Sequence, residues 1–150
     1  PHIRVSHTPH NACNPLVDLI SHEHLGGKTM LFMIDGLYGG IGWEGLQQKW
    51  TMEPFNGSWP ASIFFSQDGV AIDSVGLDFL SAEYSVHKNA DSYLHEAACA
   101  GNPPSGTFYD PEHDGTGLDS LGVHEHWNNP SDKAYSRNLG LQEGIELITW

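Results

Sequence analysis

The longest uninterrupted apolar run in this chain of 150 residues is Met30 to Ile34, closed at once by Asp35-Gly36. A bilayer span takes about 20 apolar residues, so this run crosses no membrane. Its length is that of a strand buried on both faces, as in a parallel or mixed sheet. Ala61 to Phe65 has the same character, and between the two lies a long segment, 39–60, rich in glycine and tryptophan and without sustained period. Helical signals alternate with these strands. Asn14-Pro15 starts a short helix that Gly26-Gly27 stops, Asp68 caps a helix from Val70 to about Glu83, and Asp91 caps a third that runs to about Ala100 before Gly101-Asn102-Pro103-Pro104. The expectation is an α/β fold: a small mixed sheet with flanking helices and long loops. The core spans 14–100 after an irregular lead-in over 1–13, a loop-rich segment follows over 101–144, and 145–150 form a final strand.

Seventeen glycines and nine prolines account for the loops, while 11% aromatic residues supply something to fold around. One domain is the expected size. Nineteen acidic against six basic residues give a formal charge of -13, which repels phosphate backbones and disfavours nucleic acid and anionic membranes as partners. Cys13 and Cys99 belong to no CxxC pair, so they predict neither a zinc ribbon nor an iron–sulfur loop. They are either one disulfide or two free thiols, with Cys99 packed on its helix.

Ten histidines exceed all lysines and arginines together, and His-Glu-His occurs twice. Imidazole is the commonest metal ligand, so this bias points to metal or proton-transfer chemistry. The first copy, His22-Glu23-His24, falls on the last turn of the first helix. Two positions apart on a helix, its rings diverge by about 200°, and cationic His there suits the dipole. The second copy, His124-Glu125-His126, sits in a segment without helical period. In an extended chain residues two apart point the same way, so His124 and His126 can grip one zinc-like ion with Glu125 opposite. A third ligand has to arrive from Asp35, Asp73 or His95. Asp35 lies at the carboxyl end of a strand, where ligands gather in open α/β sheets, or else it starts a turn. Asp73 falls on the apolar stripe with Val70, Leu77 and Leu80, where a carboxylate needs a partner. His95 and Cys99 lie one turn apart. Glu125 and His95 are the candidate proton carriers of a metal-dependent enzyme.

Two other patterns bear on ligands. Asp110-Pro111-Glu112-His113-Asp114-Gly115 has the alternating oxygen spacing of the first half of a calcium loop, so Asp110, Glu112 and Asp114 are calcium candidates; Leu121 stands where the bidentate Glu belongs, and a plain acidic turn is the alternative. Trp43, Trp50 and Trp59 either stack on carbohydrate or fill the core.

Ile34-Asp35-Gly36-Leu37 after an apolar strand, followed by Ser66-Gln67-Asp68-Gly69-Val70-Ala71-Ile72-Asp73-Ser74-Val75-Gly76, resembles the paired signature of the domain-of-unknown-function 362 family, which usually has Pro where this chain has Gly69. The runs Tyr93 to Ala98, Asn102 to Thr107, Tyr109 to Glu112 and Leu121 to Asn128 resemble the carboxyl-terminal part of its longer, exported bacterial members. The resemblance covers the chain from about Asn14 onward. It implies the carboxyl-terminal half of a larger α/β domain, extracytoplasmic or secreted, whose partner is the amino-terminal portion of the same protein or another subunit. The ferredoxin-like cysteine clusters of many relatives are absent, so no iron–sulfur cluster is carried over. An exported metal-dependent enzyme is one expectation. A calcium-stabilised binding module or a structural subunit of an extracellular assembly is the other.

Overall fold

The computed structural model describes residues 8–40, 45–84 and 89–150. Trp43 and the first seven residues of the lead-in lie outside them. Helix α1 spans Pro15–Ser21, with Pro15 in its first turn and the Asn14 side chain accepting from the Leu16 amide at 3.0 Å. Strand β1, Phe32–Gly36, is followed by two short strands, β2 (Gly39–Gly40) and β3 (Gln47–Gln48), and by β4, Ser62–Ser66. Helix α2 runs Gly69–Tyr84 and α3 runs Ser92–Ala98. The expected class holds: a small α/β fold with flanking helices and long loops.

The sheet itself differs from expectation. β1 and β4 pair antiparallel, with Met33 opposite Phe65 and Asp35 opposite Ile63, and burial alternates along both strands. The reason is that helix packing comes from one side only. α2 lies across the face carrying Phe32, Ile34 and Phe64, so the opposite residues face out: Met33, Ile63 and Phe65 are 61%, 50% and 61% exposed.

Two apolar cores sit on α2. Val17, Val70, Leu94, Ala97 and Tyr109 close the first, between α1, α2 and α3. Trp50, Val75, Phe79, Tyr135 and Ile145 close the second. A helix that feeds cores on different flanks buries residues round much of its circumference, which is why Ser74 and Asp78 are buried on it too.

Residues 101–150 contain neither helix nor strand, and side chains take over the bonding of the backbone. The expected final strand over 145–150 joins no ladder, and side chains occupy two of its amides: Glu125 accepts from Ile145, and Asn138 accepts from Leu147 at 2.9 Å. Glu96, 1% exposed, accepts from the Ser105 amide and hydroxyl and from the Tyr109 hydroxyl, and that hydroxyl in turn accepts from the Asn14 amide. Cys13 and Cys99 are both exposed and unpaired, so Cys99 points away from the core its helix helps to build.

Candidate functional site

The second His-Glu-His is held to α2 at three points. Asp68 caps α2 through the Ala71 amide at 2.8 Å, and its other oxygen accepts from the Val123 amide at 2.9 Å. Ser74 Oγ lies 2.8 Å from His124 Nδ1. Asp78, 6% exposed, meets His126 Nδ1 at 2.6 Å and accepts from the Trp127 amide at 3.0 Å and the Tyr135 hydroxyl at 2.9 Å. The contact positions on α2, Ser74 and Asp78, are four apart and share a face.

These bonds fix the tautomers. The Ser74 hydroxyl donates to the Val70 carbonyl at 2.8 Å, so toward His124 it accepts, and Nδ1 carries the proton. The lone pair of His124 is therefore on Nε2, which is buried and has no hydrogen-bond partner. The Asp78 carboxylate accepts from His126 Nδ1 in the same way. Burial, followed by the neighbouring His95 and His126, pushes the His124 pKa down to about 4. At neutral pH it is an uncharged base.

His95 stands edge-on to His124 with ring centroids 4.5 Å apart, His126 lies 5.0 Å from His124 on the other side, and His10 is 5.8 Å from His95. Asp91 joins this row from the start of α3. Expected to cap that helix, its side chain makes no cap hydrogen bond. Instead its two oxygens lie 3.3 Å from His10 Nε2 and 3.3 Å from His95 Nε2. One donor atom from each of His10, Asp91 and His95 falls within 4.8 Å of the others.

The other sequence candidates lie elsewhere or are already engaged. Glu125 points away from the histidines and binds the Ser136 amide and hydroxyl and the Ile145 amide, a framework role. Asp35 accepts from the Leu37 amide at 3.0 Å, the turn reading of that residue. Asp73 takes a hydrogen bond from the Tyr93 hydroxyl and lines a cavity with Asp35. Asp110 accepts from the Asp114 and Gly115 amides, and Asp114 from the Thr116 amide, so both carboxylates close their own turn. Glu112 reaches the first His-Glu-His, where it accepts from the Glu23 amide at 2.7 Å. There α1 ends at Ser21, three residues short of the His24 that the diverging-ring expectation needs in the helix. His22 leaves helical geometry at ψ 133°, and the His22 and His24 rings come to 5.4 Å instead of diverging.

His10, Asp91 and Asp78 were missed by sequence reasoning. Asp91 and His95 have the i,i+4 spacing at which helical side chains meet, and Asp78 interrupts the apolar residues of α2. His10, in the lead-in, carries no local signal at all.

Comparison with models of known protein families, with curated proteins and with solved structures finds no match.

Two predictions arise from this geometry. Gly122 has φ +155° and its α-carbon faces the Asp68 carboxylate, whose Cγ would lie 2.7 Å from an added Cβ. Gly122→Ala is expected to cost about 1–3 kcal/mol in urea unfolding. The second concerns pH in metal-free protein. His124 has a folded pKa of about 4 against an ordinary 6.5, so the unfolded chain takes the proton first; its contribution is complete above about 6.5 and is lost as pH falls to about 4. Burial raises Asp73 from 3.8 to about 6, so its contribution is present at low pH and is lost as pH rises through about 6. The two oppose each other between about pH 4 and 6. Urea unfolding across this range should find Asp73→Asn more acid-sensitive than the native chain and His124→Asn less so. Parallel profiles for all three would contradict both assignments.

Proposed function

We propose that the protein binds a divalent transition metal ion through His10, Asp91 and His95, and that it is a metal-dependent enzyme whose general base is His124. The observation that carries this reading is the buried, unpartnered Nε2 of His124. A buried acceptor without a donor costs about 1–3 kcal/mol, and such an atom calls for a ligating or reacting role. The surrounding donors agree with it. Two imidazoles and a carboxylate suit zinc and similar ions, whereas calcium takes about six to eight oxygens. One donor atom from each of the three residues lies within 4.8 Å of the others, with each imidazole Nε2 3.3 Å from a different oxygen of Asp91.

A metal held by His10, Asp91 and His95 would keep a coordination position for water and would lower that water's pKa. His124 can accept a proton at Nε2, while its bond to Ser74 holds the ring in place. His95 then serves as a ligand, and Glu125 as framework.

Calorimetric zinc titration should find a single equivalent bound by the native chain and none by Asp91→Asn at the same free zinc. A native chain that takes up no zinc contradicts the reading. For the base, zinc-loaded protein is expected to hydrolyse 4-nitrophenyl acetate, with His124→Asn retaining zinc and losing the activity.

A second reading, that further protein packs on this chain, is favoured by the outer face of β1 and β4, where Met33 and Phe65 pair across the strands while both are 61% exposed. Contiguous apolar surface of this kind marks an interaction face. The isolated chain should self-associate through it in sedimentation, and Phe65→Lys should suppress this.

A further inference from the structure

Away from the histidines, a cavity of about 390 Å³ opens between the inner face of β1 and β4, helix α2 and the start of α3. Tyr38, Trp50, Phe55, Phe64 and Tyr93 give it aromatic walls. Gly39 belongs to those walls for a steric reason: a side chain there would run into the Trp50 indole, with Cζ2 2.8 Å from the added Cβ. The Asp73 carboxylate also lines it, and among the described residues that line it none is Lys, Arg or His.

This combination selects by charge. An anionic guest meets a carboxylate and, among the described residues, no cation. A neutral apolar guest strips water from Asp73 and gives it nothing in return, at a cost of several kcal/mol for an unpaired buried charge. A cationic guest neutralises the carboxylate and lies against ring faces, where cation–π attraction contributes about 2 kcal/mol once water is excluded. The Tyr93 hydroxyl occupies Oδ2 of Asp73 and leaves Oδ1 for the guest. The charge of -13 concentrates cations near the surface.

We infer that this cavity binds a small organic ammonium ion, its charged end against Asp73 and its apolar body against the aromatic walls. Burial already pushes the Asp73 carboxyl up to about 6, the behaviour of a carboxylate that lacks a cationic neighbour. A volume of about 390 Å³ is near the small end of ligand pockets and suits an amine with one ring or a short chain.

Three probes of one size test it on chelator-treated protein, so that the outcome is independent of the metal reading: phenethylammonium, 2-phenylethanol and 3-phenylpropionate. Binding is followed by tryptophan fluorescence and amide NMR shifts. Phenethylammonium should bind saturably, at least about tenfold more tightly than the alcohol, with no binding of the carboxylate. Asp73→Asn should remove that preference with the circular dichroism spectrum unchanged. Equal affinity for the ammonium and the alcohol, or no saturation by the ammonium below about 10 mM, overturns the inference. The comparison of probes needs no variant and decides the matter even if Asp73→Asn fails to fold.

Discussion

Asp78→Ala is expected to lower the stability of the fold by about 1–3 kcal/mol for each buried donor it leaves without an acceptor. The carboxylate is 6% exposed and is met by three donors: His126 Nδ1, the Trp127 amide and the Tyr135 hydroxyl. Alanine leaves the last two buried without an acceptor. The consequence spreads because Trp127 and Tyr135 pack in the second core, so that one α2 side chain fixes the loop segment that has no ladder of its own. Asp78→Asn keeps an acceptor and loses the charge, and should cost about 1–3 kcal/mol. Urea denaturation followed by circular dichroism measures both. A loss under about 1 kcal/mol for alanine would show that the loops hold themselves without Asp78.

The next largest effect is on metal affinity. Removing a group that merely orients a ligand costs about 10–100-fold in affinity. His95→Ala removes a proposed ligand outright and should exceed about 100-fold. Ser74→Ala gives a useful contrast. It deletes the acceptor for His124 Nδ1 and releases the tautomer, yet touches none of His10, Asp91 and His95. Zinc affinity should then change by less than about tenfold while ester hydrolysis falls. Equal losses of affinity in the two variants would mean that His124 is a ligand and not a base.

Elements of this protein were legible in the sequence wherever a local rule governs them. Asn14-Pro15 starts a helix because the Asn side chain caps it and Pro fits its first turn. Asp68 caps α2, and the short apolar runs are strands. What escaped depends on which partner arrives. Nothing within β1 tells that a helix covers one face only, so the apolar run Met30 to Ile34 reads as doubly buried when Met30 is in fact 85% exposed. Ile145 to Ile148 has strand composition, yet it joins no ladder, and the distant Glu125 and Asn138 side chains take two of its amides.

The histidines divide along the same line. The spacing of His124 and His126 is a local signal, and their ring centroids lie 5.0 Å apart. Their separation from Asp35 and Asp73 is a matter of topology: Asp73 lines a cavity on another flank of α2 and α3, and Asp35 closes the turn after β1. Asp91 fits the pattern of a helix cap equally well in either role; His95 meets one of its oxygens from the same helix, and His10 reaches the other from the lead-in.

The most direct test of the metal reading is anomalous diffraction at the zinc absorption edge from crystals of the protein grown with zinc. A single ion is predicted with bonds of about 2 Å to His10, Asp91 and His95, and with the His124 ring alongside. A peak at the His22–His24 turn or among Asp110, Glu112 and Asp114, with none at Asp91, would contradict it.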